Sequence, residues 1–146
     1  MNLSSRTASA ADEPDLVRLA IAMLEETRPG EPYEQEVIRS RIRHYLNSAD
    51  AEIWVVTLQD TVVGFLLGWT IPFDWRSGCC AVVRMQHVAL DARETDASDL
   101  LMRGFFLWAR RQGAQEIVGC SFSPDRVAAM REMLGTQEIG DGTALQ

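Results

Sequence analysis

The chain has 146 residues, 47% apolar and 24% charged, the balance of a soluble globular protein long enough to bury one real core. A net charge of −7 and a pI of about 4.8 argue against nucleic-acid binding, which uses a basic surface. No apolar run reaches the ~18 residues of a membrane span, and the N-terminus lacks the apolar core of a secretory leader, so a cytoplasmic setting is expected.

Residues 3–7 form a candidate first strand. Ser9-Ala10-Ala11-Asp12-Glu13-Pro14 reads as a helix start, with Ser9 or Asp12 as cap and Pro14 in the first turn. Leu16, Leu19, Ala20, Met23 and Leu24 then recur at helical spacing, and Arg28-Pro29-Gly30-Glu31-Pro32 ends that helix. A second helix is predicted over 34–47, with Val37, Ile38, Ile42, Tyr45 and Leu46 on its apolar side. Its basic run, Arg39, Arg41, Arg43 and His44, reads as a solvated face. Strands over 52–58 and 61–70 flank a turn at Gln59-Asp60 and read as a hairpin, and a loop follows over 71–78.

A central strand runs from Cys79 to Leu90, and a polar break follows over 91–98. A helix over 97–112 carries Leu100, Leu101, Phe105, Leu107, Trp108 and Ala109, with Arg110 and Arg111 in its last turn and Gly113 as its stop. Ile117-Val118 opens another strand. Ser123-Pro124-Asp125 caps a further helix over 125–134, and residues 137–139 form a short last strand or none. Cys79, Cys80 and Cys120 are odd in number and lack metal spacing. With only two histidines, no metal site is expected, and the cysteines read as reduced packing residues.

The stretch 79–117 resembles motif A of the GNAT superfamily, the Gcn5-related N-acetyltransferases. There a strand ends in an apolar-x-Val signal, and five residues later an R/Q-x-x-G-x-G/A loop leads into a helix, a small residue and the next strand. Val88 matches the valine and Arg93 the loop's first residue, and the match runs without a gap to Gly113. Both loop glycines are replaced, by Asp96 and Ser98. The element order over the whole chain also resembles that family. The resemblance implies a mixed α/β (α+β) domain, a single one over 1–146. Its twisted, mostly antiparallel sheet is flanked by about four helices, and its C-terminal strand is short or missing. An open edge there would suit a homo-oligomer or a protein partner.

The resemblance also implies acetyl-CoA as cofactor and a small-molecule or protein amine as acceptor. By that match, Gln86, Val88, Arg93, Asp96, Ala97 and Ser98 form the cofactor-binding stretch. The pyrophosphate would sit on the loop and the helix N-terminus, held by backbone N–H groups. The backbone N–H of Val88 would hold the thioester carbonyl. Glycines admit close approach and φ > 0, so Asp96, with Glu94 and Asp99 beside it, adds bulk and like charge. The same residues also read as an ordinary helix start, with Asp96 or Ser98 as cap.

Transfer to an amine needs a proton acceptor and a donor to the leaving thiolate. The strand positions that often supply the base are Val82, Arg84 and Gln86, none a carboxylate. His87 has suitable acidity, yet plain alternation turns it opposite to Arg84, Gln86 and Val88 unless a bulge intervenes. Glu52 is a remoter candidate base. In the closing helix Arg131 stands where the family has a tyrosine, Pro124 where it has an asparagine, and Thr136 where it has an aromatic. His87 and Arg131 are therefore the candidate catalytic residues. Residues 73–76, Phe-Asp-Trp-Arg, are a candidate pocket wall or an anchored turn.

Three functions follow. One is an active N-acyltransferase. The second is a catalytically degenerate domain of the same fold, used as a binding, regulatory or structural module, virus-encoded ones included. The third is an α/β binding domain of other ancestry, which a different strand order would establish.

Overall fold

The computed structural model describes residues 2–118. The predicted fourth helix, the last strand, Cys120 and Arg131 lie outside the described residues. The described elements are β1 (Leu3–Thr7), α1 (Glu13–Thr27), α2 (Gln35–Leu46), β2 (Ala51–Leu58), β3 (Thr61–Pro72), β4 (Cys79–Val88), α3 (Ala97–Arg111) and β5 (Glu116–Val118). Single 3₁₀ turns precede α1 and α3.

The sheet order is β1-β2-β3-β4-β5. The first three pairings are antiparallel and β4–β5 is parallel. A parallel neighbour needs a crossover, and α3 supplies it. The β2–β3 hairpin turns at Gln59 and Asp60, whose φ values of 51° and 67° match the right-handed twist of the flanking strands. β3 runs two residues further than predicted, so the following loop is shorter.

The N-terminus is pinned by charge as well as by pairing. Ser9 caps the 3₁₀ turn, and its N–H donates to Asp12 Oδ2 at 2.8 Å. Arg6 from β1 donates to both oxygens of the buried Asp12, at 2.7 and 3.0 Å. These hydrogen bonds, Arg6 first, hold the Asp12 carboxyl below its usual range.

Two cores lie on opposite faces of the sheet. α3 covers one, with Leu101, Phe105, Phe106, Trp108 and Ala109 packed on Trp54, Val56, Leu66 and Val83. α1 and α2 cover the other, with Leu16, Leu19 and Ile42 over Ile53, Val55, Phe65 and Leu67. The α3 stripe differs from the predicted one at three residues. Leu107 is 41% exposed, while Met102 and Phe106 are buried, because the buried arc is centred on Phe105. Val37 on α2 is likewise exposed rather than core.

Candidate functional site

The site is organised by one irregularity in β4. Leu67 pairs with Met85 but Gly68 pairs with Val83, so Arg84 is an extra residue in the strand. Ala81, Val83 and Val88 therefore join the α3-side core, whereas Met85 packs on the α1/α2 side. The Arg84 guanidinium lies over the Trp69 ring at 4.4 Å, and Trp69 packs against the α1/α2 core. The bulge thus corrects the alternation expected from sequence. His87 remains opposite Gln86 and Val88, but it shares its face with Arg84.

β4 pairs with β5 through Cys80, Ala81 and Val82. Among the described residues no strand covers the same edge at Gln86 and Val88. The N–H of Ala89 donates to Val63 O in β3 at 2.8 Å. Strand groups alternate, so Val88 directs its own N–H and C=O to the uncovered edge. That carbonyl accepts from Arg93 Nε at 2.8 Å, which leaves the Val88 N–H facing outward.

The loop after β4 is built from helical-type turns. A 3₁₀ turn spans Leu90–Ala92, Arg93 has φ −69°, and Asp96, the cap of α3, has φ −80°. No residue from 93 to 98 has positive φ. A side chain at 96 and 98, where the motif that the loop resembles has glycine, therefore costs no backbone strain here; what Asp96 adds is bulk and charge. Its side chain makes no capping bond. Thr95 caps instead, its hydroxyl accepting from the Ala97 N–H at 3.2 Å. The Ala97 methyl is fully buried under α3. Gln86 Nε2 donates to Ser98 Oγ at 2.8 Å and so ties β4 to the first turn of α3.

Arg93 does not face the loop as a free cation. Its guanidinium forks onto Glu26 at the end of α1, with Nη1 to Oε1 at 2.7 Å and Nη2 to Oε2 at 2.5 Å. Those bonds lower the Glu26 carboxyl and raise Arg93. Glu94, Asp96 and Asp99 remain exposed around the loop.

His87 is 8% exposed. Burial first, and the neighbouring Arg93 second, push its imidazole below the ordinary value, with Glu26 opposing. The ring is therefore uncharged at neutral pH. Glu52 is raised by burial, with Arg111 opposing, and its register neighbours place it on the α3 face, opposite to His87.

A cavity of about 350 Å³ lies between α1, α2 and the sheet. Leu16, Met23, Ile42, Phe65, Leu67 and Met85 supply its apolar wall, and Arg41 and Arg84 its charges. A second cavity adjoins it near Tyr33, sharing Leu24, Val37 and Ile38. The loop 73–76 lines neither. It is an anchored turn: Phe73 is buried, Arg76 stacks on it at 4.4 Å, and Arg76 Nη1 donates to Gln115 Oε1 at 2.7 Å. Trp75 stands 58% exposed.

No family model and no curated protein sequence matches the chain. Solved structures do match. An integron cassette protein from the mobile metagenome of Cole Harbour Salt Marsh superposes with a TM-score of 0.76 at 19% identity, covering 98% of this chain and 88% of that one. A ribosomal-protein-alanine N-acetyltransferase from Brucella melitensis biovar Abortus 2308 gives 0.71 at 14%, covering 100% and 98%. AAC(6')-Iy bound to a CoA bisubstrate analogue gives 0.69 at 13%, also covering 100% and 98%. This chain has the GNAT fold. The described strand order is not the different one that would establish an α/β domain of other ancestry. Beside the start of α3, Gln86 meets Ser98 and Arg93 meets the Val88 carbonyl.

Sequence reasoning missed Glu26, Thr95 and the cavity. Arg41 is exposed, as the solvated-face reading of the basic run expected, and it stands at the rim of the cavity.

Proposed function

We propose that the protein is an acetyl-CoA-dependent N-acyltransferase for a small-molecule amine. The observation that carries this reading is the outward N–H of Val88 on a strand edge that no described strand covers, one short loop away from the α3 N-terminus. An acyl donor laid along that edge would find a donor for its carbonyl oxygen and a positive helix end for its phosphates. Fold neighbours crystallised with CoA or a CoA analogue support the choice of cofactor.

In the reaction the amine nitrogen attacks the thioester carbon, the C–S bond breaks, and CoA leaves as the thiolate. Val88 N–H stabilises the oxyanion. His87, uncharged at neutral pH and on the same face as the α1/α2 cavity, takes the proton that the amine loses. Gln86 fixes the first turn of α3 through Ser98. Arg131 is assigned to the leaving thiolate by resemblance alone.

A second reading is favoured by Arg93, which Glu26 holds away from the loop, and by the exposed carboxylates there. In it the domain has lost CoA and serves as a binding or structural module, with an oligomer or protein partner. Calorimetric titration with acetyl-CoA separates the two. The transferase reading expects saturable binding by the native protein. Asp96→Asn and Asp96→Gly should tighten it by about fivefold, as one fewer unit charge at ~4 Å in water is worth ~1 kcal/mol. Absence of binding in all three proteins would overturn it in favour of the module.

A further inference from the structure

The α1/α2 cavity has a charge pattern that selects among amines. Arg6, Arg18, Arg28, Arg39, Arg43, Arg76 and Arg93 form ion pairs with carboxylates. The two that line the cavity, Arg41 and Arg84, have no carboxylate partner among the described residues. Arg103 and Arg111 likewise form no ion pair with a described carboxylate, so what sets the exposed Arg41 and Arg84 apart is that both line one cavity. Arg84 is also held in place, stacked on Trp69 at 4.4 Å. The bulge that makes Arg84 an extra residue in β4 is what turns it to this face.

Among the described residues no carboxylate lines this cavity. Glu31 and Glu34 line the adjoining one, and Glu31 is paired with Arg28 at 3.3 Å. A polycationic amine would therefore meet two cations and apolar wall. An amine with a carboxylate on an apolar body would match both parts of the lining. We propose that the acceptor is a small amine bearing a carboxylate, seated with its apolar body on the Leu16, Met23, Phe65 and Met85 wall and its carboxylate at Arg41 and Arg84. This rests on the transferase reading for the word acceptor, but the site itself does not depend on turnover.

Matched pairs of amines test it. Phenylalanine is compared with 2-phenylethylamine, and 6-aminohexanoate with hexylamine, with an aminoglycoside as polycation. Release of CoA thiol from acetyl-CoA is followed for each. The carboxylate-bearing member of a pair should show kcat/KM about tenfold or more above its partner, the worth of one charge-assisted hydrogen bond. Arg84→Gln or Arg41→Gln should lower that ratio about tenfold, and Arg84→Glu should reverse it. The ratio is read within each variant, so a partly unfolded preparation does not imitate the result.

Preference for the aminoglycoside or for the amines without carboxylate would overturn the proposal. So would a carboxylate preference that persists in the Arg41→Gln, Arg84→Gln double variant. If no amine releases thiol, the transferase reading fails, and calorimetry of the same amines on the native protein and the two arginine variants decides the site. Arginine-dependent binding of the carboxylate members upholds it; equal or absent binding of both members overturns it.

Discussion

The two faces of the sheet are built to different rules. The α3 face is sealed by aromatic rings: Trp54 meets Phe105 edge-on at 6.1 Å and Trp108 at 5.5 Å. Two glycines make room for them. A Cβ at Gly68 would lie 2.6 Å from the Phe105 ring, and one at Gly104 would lie 2.8 Å from Trp54 Cδ1. The α1/α2 face packs mainly aliphatic side chains beside Phe65, leaves a cavity of about 350 Å³ and carries two arginines at its rim and a buried histidine on that side of β4. One sheet thus separates two tasks. Dense packing on one side supplies the stability that a hollow, charged opposite side forgoes.

Breaking the sealed face should have the largest effect. Phe105→Ala should cost about 3–5 kcal/mol in urea unfolding, the range for a buried Phe truncated to Ala. Gly68→Ala should cost about 1–3 kcal/mol by overpacking. Adding Phe105→Leu to Gly68→Ala should cost less than the sum of the two single changes, because the clash is with that ring. Additive losses would mean that the two sites are not in contact.

Changes on the hollow face should be smaller and should show in binding. Arg84→Gln should cost about 0.5–1 kcal/mol, the worth of an exposed cation–π contact, while shifting the amine preference. A loss above about 3 kcal/mol would mean that Arg84 is structural, as for a broken buried ion pair.

The pH dependence sharpens the same contrast. The folded His87 has a lowered pKa, so as pH falls below ~6.5 the unfolded chain takes up its proton first. Stability is then full above that value and declines as pH falls through the folded pKa. His87→Asn should flatten this decline below about pH 6.5. Glu52, raised by burial, acts with opposite sign, so the difference between the two proteins is the readout. Asp12, lowered by Arg6, loses its contribution only below about pH 3.9, in a separate window. An unchanged slope in His87→Asn would mean that the imidazole titrates normally.

The smallest expected change is at the rim. Glu26→Gln releases Arg93 from its fork, and acetyl-CoA affinity measured by calorimetry should rise about threefold as one cation becomes available to the loop. Weaker binding would mean that the Glu26–Arg93 pair shapes the loop rather than blocks it.

Local pattern was enough for much of this. The 3.6-residue and two-residue periods located α1, α2, α3 and the strands to within a few residues, because each buries one face and shows it in the spacing of apolar residues. Residue spacing from Val88 to Gly113 was enough to identify the motif that the fold then displayed. Three things were decided only by tertiary structure. The bulge at Arg84 depends on the register that β3 imposes, and it alone puts Arg84 and His87 on one face. The fate of Arg93 depends on Glu26, 67 residues away in sequence, and no local pattern encodes such a meeting. The lack of strain at Asp96 follows from how the loop packs, since the sequence reports a missing glycine but not the φ that the chain adopts there. Sequence periodicity records which side of an element is buried. It does not record phase shifts between elements, and the candidate site lies where such a shift occurs.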